Sequence, residues 1–318
     1  MPDPSLSPPA QASRRASWLN QECQTVKAAI LRTIVYADIF DYPLTTQEIH
    51  RYLSKMPASL DTIQTILGHK QLVPQQLTCQ QGYFTLRGRE IIIETRLRRA
   101  KIAARMWPRA MRYGSLISGL PFVRMVTVTG ALTMDNVEPG DDIDYLIVTE
   151  PGRLWLCRAM VIVLVKIAAR QGDILCPNYL LTERALVFHE RNFFTAHEVT
   201  QMVPLAGLET YRRLRQLNAW TAHFLPNAHD PPRHINSVPL PRQPVRTLAE
   251  AALRTPIGDR LEQWEMKRKM LKFSQQYIHQ GNAALSPDRC KGHFNSHGQH
   301  ILSTFAKRLQ TIEKQATQ

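Results

Sequence analysis

The stretch VTVTGALTMDNVEPGDDIDYLIVTE, residues 126–150, decides how this chain is read. It begins as a β-branched run that stops at Gly130. It ends in the apolar run Tyr145-Leu146-Ile147-Val148, entered through Asp142 and Asp144. Residues i and i+2 of a strand project from one face, so two carboxylates leave the start of a buried strand side by side. Like charges held that close repel unless a cation lies between them. Oxygen ligands suit Mg²⁺, which keeps waters and bridges to phosphates. The competing reading makes Asp141 and Asp142 part of a solvated turn, with Asp144 capping the strand. The order strand, Gly130, helix, strand around the acids favours the cation.

The same alternation continues outward. RLWLCRAMVIVLVKIAARQG reads as a long helix and DILCPNYLLTE as a third strand, which makes residues 120–228 an α/β unit. Within that helix, AMVIVLVKIAA (159–169) is the most apolar run of the chain. It contains Lys166 and falls short of the roughly 20 residues a membrane span needs, so a buried helix is expected. On the N-terminal side, Val26, Ile30, Thr33, Ile34 and Ala37 recur at helical spacing. Pro43 ends that helix, Thr45 opens the next, and Glu48 three residues on completes a capping box. Ser59 caps a third helix whose Ile63, Ile66 and Leu67 face inward. QLVPQQLT and GYFTLRG read as two strands joined by a tight turn at Gln80–Gly82. Three helices and a two-stranded wing predict a winged helix-turn-helix. Its third helix offers Asp61, Gln64, His69 and Lys70 but no arginine, a poor set for phosphate contacts. The basic run RLRRAKIAARMWPRAMR (96–112) is either a solvated face or an attractor of phosphates. Beyond residue 228, HDPPRHINSVPLPRQPVR is Pro-rich and non-periodic, and two helices follow near 247–281 and 297–316.

The expected class is therefore α+β. A disordered tail (1–20) precedes a winged helix domain (21–95) and a mixed-sheet domain (96–228). A Pro-rich linker (229–246) and a C-terminal helical region (247–318) follow. A net charge of +14 favours polyanionic partners such as nucleic acid, nucleotides or an anionic surface. Five scattered cysteines, Cys23, Cys79, Cys157, Cys176 and Cys290, form no CxxC pair and argue against a disulfide framework. With no apolar h-region at the N-terminus, a cytoplasmic protein without membrane partners is expected.

VTVTGALTMDNVEPGDDIDYLIVTE resembles the signature of the DNA polymerase beta-type nucleotidyltransferases. Their pattern is an apolar residue, Gly, Gly or Ser, a gap of about ten, then Asp-apolar-Asp-apolar. Gly130 matches the glycine and Asp142-Ile143-Asp144-Tyr145 the acidic motif. RLWLCR, CPNYLL, NAWTAHFLPN and CKGHFNSHG extend the likeness to an uncharacterised bacterial nucleotidyltransferase-like group. The resemblance implies that Asp142 and Asp144 hold two Mg²⁺ ions and act as catalytic residues on an NTP substrate. Gly130 and Ala131 would approach the phosphates through their backbone. The acceptor would be a hydroxyl of a nucleic acid, a small molecule or a protein, with weak or no sequence-specific DNA binding. The family's second small residue is Ala131 here, and its Ser before the acids is Asp141. The third family acid belongs on DILCPNYLL, where Asn178 is the inward candidate and Asp173 the sole acid. An inactive nucleotide-sensing or DNA-binding descendant is the alternative. Lys291 and His293 are candidates to touch phosphate or base. Cys290, His293, His297 and His300 have ligand-like spacing, for which zinc competes with a plain structured loop.

Overall fold

The computed structural model describes residues 24–68, 72, 75–233, 244–276, 285–291 and 297–317. The expected tail at 1–20 and most of the expected linker lie outside these residues. The chain divides into two compact units. One comprises Met1–Arg96, Ala222–His229 and Ile301–Gln318; the other comprises Leu97–Thr221 and Asp230–His300.

The first unit contains helices α1 (24–38), α2 (Thr46–Arg51) and α3 (Leu60–Gly68) and the antiparallel strands β1 (Leu77–Gln80) and β2 (Tyr83–Leu86). The capping box forms: the Glu48 N–H donates to Thr45 Oγ1 at 3.3 Å, and the Thr45 N–H donates back to Glu48 Oε2 at 2.9 Å. The Thr62 N–H donates to Ser59 Oγ at 3.1 Å, opening α3 over buried Ile63, Ile66 and Leu67. The hairpin turns at Gln81 and Gly82, both at positive φ, the conformation whose twist matches paired strands. β1 starts at Leu77, inside the expected strand QLVPQQLT, of which residues 71, 73 and 74 lie outside the described residues. Arg96 ties α2 to the hairpin. It pairs with Glu48 at 2.7 Å, and its guanidinium lies 4.2 Å from the Tyr42 ring centre and 4.7 Å from that of Tyr83. Buried Asp38 accepts from Arg89 at 2.8 Å and also pairs with Arg308, which brings the chain's last helix into this unit.

The second unit is built on a six-stranded sheet in the order β6-β3-β4-β5-β8-β7. Its strands are β3 (Val123–Val128), β4 (Ile143–Thr149), β5 (Leu175–Thr182), β6 (Val203–Ala206), β7 (Leu285–Ser286) and β8 (Arg289–Lys291). β4 and β5 run parallel and the other pairs antiparallel, so the sheet is mixed and the class is α+β. Helix α4 (Ile92–Ser118) leads into the sheet, and α5 (Leu154–Arg170) makes the crossover that a parallel pair requires. Val126, Val128, Tyr145, Ile147 and Leu180 pack with α4 and α5 on one face. Met125, Leu146, Val148 and Leu181 pack on the other with α6 (Phe193–Gln201) and α7 (Leu208–Leu217). β4 is thus covered on both sides, the physical reason its sequence is continuously apolar rather than alternating.

Three features differ from the sequence reading. The C-terminal stretch is not wholly helical: β8 pairs with β5 through Arg289–Lys291 and covers an edge that would otherwise expose unpaired backbone. The helix expected at 247–281 is divided into α8 (Pro244–Leu253) and α9 (Pro256–Gln276), because Pro256 cannot continue a helix but starts one well. α5 is buried on one side only, with Val163 at 56% and Ile167 at 41% exposure. The chain's last helix, α10, spans His297–Thr317. No helix among the described residues is long and apolar enough to cross a membrane.

α5 has no side-chain cap of its own. Glu262 of α9 supplies one, accepting from the backbone N–H groups of Trp155 at 2.9 Å and Leu156 at 2.7 Å. Glu262→Ala leaves one buried and one part-buried donor unsatisfied. It should lower the unfolding free energy by about 2–3 kcal/mol. Urea unfolding checks this: the midpoint should fall with the slope unchanged, and an unaltered midpoint would remove the cap from the account.

Candidate functional site

The site forms where β3 stops. The Thr129 N–H donates to the Asp144 carbonyl at 3.0 Å, and the chain then turns at Gly130, with φ 70° and ψ −158°. A short 3₁₀ turn, Ala131–Met134, follows. The Thr133 N–H and hydroxyl close it on the Gly130 carbonyl at 3.1 and 2.7 Å. Gly130 is required twice. Its φ is one that side chains rarely adopt, and a Cβ there would lie 2.4 Å from Asp144 Oδ2.

The loop from Asp135 to Asp142 is held by α4. Trp107 Nε1 donates to Asp135 at 2.7 Å, and Arg233 pairs with the same carboxylate at 2.7 Å. Arg98 and Arg99 both pair with Glu138 and hold its carboxyl down to about 2. Arg99 also reaches Asn136 Oδ1 at 3.1 Å. Two arginines of the basic run thus fix the loop that delivers the acids. Asp141 turns back into this loop, its carboxylate accepting from the Glu138 N–H at 2.8 Å. That leaves Asp142 and Asp144 as the inward pair. Asp173 pairs with Arg109 at 2.9 Å and accepts from the Tyr113 hydroxyl at 2.8 Å.

The ligand atoms of Asp142, Asp144 and Cys176 all lie within 4.8 Å of one another. Cys176 is there because β4 and β5 start in step: Ile143 is opposite Leu175, and Asp144 is opposite Cys176. The register then slips, so that Leu146 faces Tyr179. One residue of β4, Tyr145, is matched by two of β5, Pro177 and Asn178, a bulge. Asn178 therefore does not occupy the place opposite the acids; a thiol does. Nothing within LCPNYL marks that register, because it depends on pairing with β4.

Burial, and then the neighbouring Asp142 charge, lift the Asp144 carboxyl to about 7; the Cys176 thiol opposes the shift, and Glu198 and Asp141 add to it. Asp144 Oδ1 is shut off from water and accepts no hydrogen bond. Burial also raises the Cys176 thiol, helped by the two carboxylates to which it hydrogen-bonds. Glu198, on α6, is a site residue the sequence reading missed. The α6 face of β4 is the one Asp144 shares with Leu146 and Val148, so Glu198 comes within electrostatic reach. Burial lifts Glu198 to about 7, and Lys291 opposes that. Lys291 stands on β8 opposite Tyr179, its Nζ 6.0 Å from the ring centre. Ala131 is exposed at the start of the 3₁₀ turn. His293 lies outside the described residues. Cys290 is buried in β8, and His297 packs against Phe194, ring centres 5.9 Å apart. Among the described residues, the Asp142–Asp144–Cys176 group is the one cluster of three or more such side chains.

The raised Asp144 carboxyl sets a pH dependence in cation-free protein. Its folded value, about 7, exceeds its ordinary 3.8. Between those values the folded state holds a proton the unfolded chain has lost. Stability from this group is full below that window and falls as pH rises through it, by up to about 1.4 kcal/mol per pH unit. Urea titrations in EDTA at pH 5 and 7.5 should show Asp144→Asn gaining on the wild type as pH rises. Equal pH slopes would mean that Asp144 is not the group carrying the proton.

Comparison with protein-family models, curated proteins and solved structures finds no match for this chain.

Proposed function

We propose that the chain is a divalent-cation-dependent nucleotidyltransferase that moves a nucleoside monophosphate from an NTP to a hydroxyl acceptor. The observation that carries this reading is the fit of Gly130 against Asp144. A strand-ending glycine, whose Cβ would press on the carboxylate, lies against the second acid of an Asp-x-Asp pair. This contact brings together the glycine and the acidic pair that carry the resemblance to the polymerase beta-type signature. The donor set suits a cation: two inward carboxylates, one of them with a buried oxygen that nothing else satisfies. A bound Mg²⁺-type ion, or a pair of them, supplies charge neutralisation for the triphosphate and acidifies the acceptor hydroxyl.

Asp142 and Asp144 hold the cation in this reading. Gly130 and Ala131 let the backbone approach the phosphates, and Lys291 adds positive charge on the Glu198 side. The helices and hairpin of the first unit support a winged helix-turn-helix. Its α3 exposes Asp61, Thr62, Gln64 and Thr65. A second reading, a catalytically silent nucleotide-binding regulator, is favoured by one observation: a thiol, not a third acid, faces Asp144.

Calorimetry should find tighter NTP binding with Mg²⁺ or Mn²⁺ than in EDTA. Labelled NTP incubated with cell extract should mark an acceptor with wild type and not with Asp144→Asn, a loss on the order of a thousandfold or more. Cation-dependent binding without labelling would select the regulator. No NTP binding under either condition would end both readings.

For the first unit, mobility-shift assays at physiological salt should show weak or no sequence-selective duplex binding. Residual binding should fall steeply with added salt. A nanomolar, sequence-selective complex would overturn the weak-binding expectation.

A further inference from the structure

Cys176 is placed as a ligand would be. In a parallel pair, residues opposite one another point to the same face, so its thiol leaves β5 beside the Asp144 carboxylate. Its sulfur joins oxygens of Asp142 and Asp144 within 4.8 Å, a span one ion can bridge. The bulge at Pro177 and Asn178 follows immediately, so the in-step register ends once the thiol is delivered. Asp144 Oδ1, sealed from water without a hydrogen bond, is a second sign that the cluster is built for something it does not itself contain.

We propose that Cys176 is the third protein ligand of this cation site and makes it select thiophilic divalent ions of the Zn²⁺ class over Mg²⁺. The inference rests on the Asp142–Asp144 cation site proposed above. Two carboxylates and one thiolate are three protein ligands, the number that leaves a fourth tetrahedral position open for a phosphate oxygen or water. Mg²⁺ takes oxygen ligands in near-octahedral array and gains nothing from sulfur, whereas Zn²⁺ and Co²⁺ do. The exchange balances simply. The thiol proton leaves to solvent as the metal–sulfur bond forms.

The test is Co²⁺ titration of the full chain, read by near-ultraviolet absorption. Wild type should develop a thiolate-to-cobalt charge-transfer band that is absent from Cys176→Ser. Zn²⁺ should abolish the band, and a large excess of Mg²⁺ should not. Calorimetry should show Zn²⁺ affinity falling by about 100-fold or more in Cys176→Ser. Cys176→Asp, which restores an oxygen ligand, should move the preference back toward Mg²⁺. Circular dichroism and melting temperature establish that each variant is folded. Cys79 is exposed, so a band that survives in Cys176→Ser belongs to another thiol and overturns the proposal. Unchanged Zn²⁺ affinity in Cys176→Ser, with loss in Asp144→Asn, overturns the thiolate ligand but leaves the cation site standing. Unchanged affinity in both variants removes the cation site itself.

Discussion

The contact between Gly130 and Asp144 is the constraint on which the second unit's site depends. The carboxylate lies so close to the turn that a side chain there would have to displace it, and the turn's positive φ would strain one independently. The strand on one side of that contact ends, and the strand on the other begins. The loop between them, residues 135–142, has to bridge the gap while carrying a second acid. It does so under restraint from outside itself: Trp107 and Arg233 on Asp135, Arg99 on Asn136, and Arg98 with Arg99 on Glu138. Asp142 is positioned by a loop whose neighbouring acids are already occupied.

This arrangement changes what the positive charge of the chain means. A net charge of +14 suggests a surface awaiting polyanions. Many of the arginines are instead engaged within the molecule. In the second unit, Arg124 and Arg254 share Glu150, Arg109 takes Asp173, and Arg246 reaches Glu250 and two backbone carbonyls. In the first, Arg89 and Arg308 share Asp38. Pairs of this kind contribute modestly to stability where exposed. Their clearer consequence is geometric: each fixes a loop or helix end that hydrophobic packing alone would leave loosely placed.

What was legible in the sequence was local. The Thr45–Glu48 capping box, the Ser59 cap, the hairpin turn at Gln81-Gly82 and the strand-borne Asp144 follow from neighbouring residues, and each forms as read, whereas Asp142 falls in the loop one residue before β4. What was missed depended on pairing across long separations. Nothing near Arg289–Lys291 announces a strand, because its partner is Tyr179–Leu181. Glu198 is an ordinary helical residue until α6 packs on the Asp144 face of β4. Cys176 rather than Asn178 faces the acids because of a one-residue bulge, and register is not written in composition. The α8–α9 break is the exception, since Pro256 marked it in plain view.

Two acids with values lifted to about 7, Asp144 and Glu198, share the α6 side of the sheet, and a thiol raised by the same burial stands opposite one of them. Each shift has burial as its first cause, so none follows from the carboxylate pair alone. A sheet covered on both faces makes ionisation costly there, and without a cation burial favours the protonated forms. A cation does the same work by a different route, displacing those protons and satisfying the oxygen that has no partner. The covering helices that make β4 continuously apolar thus also bury Asp144 and Glu198, where a cation would offset the cost of their charge. The hydrophobic packing and the candidate chemistry are one arrangement, and a change that opened the α6 face to water would weaken both.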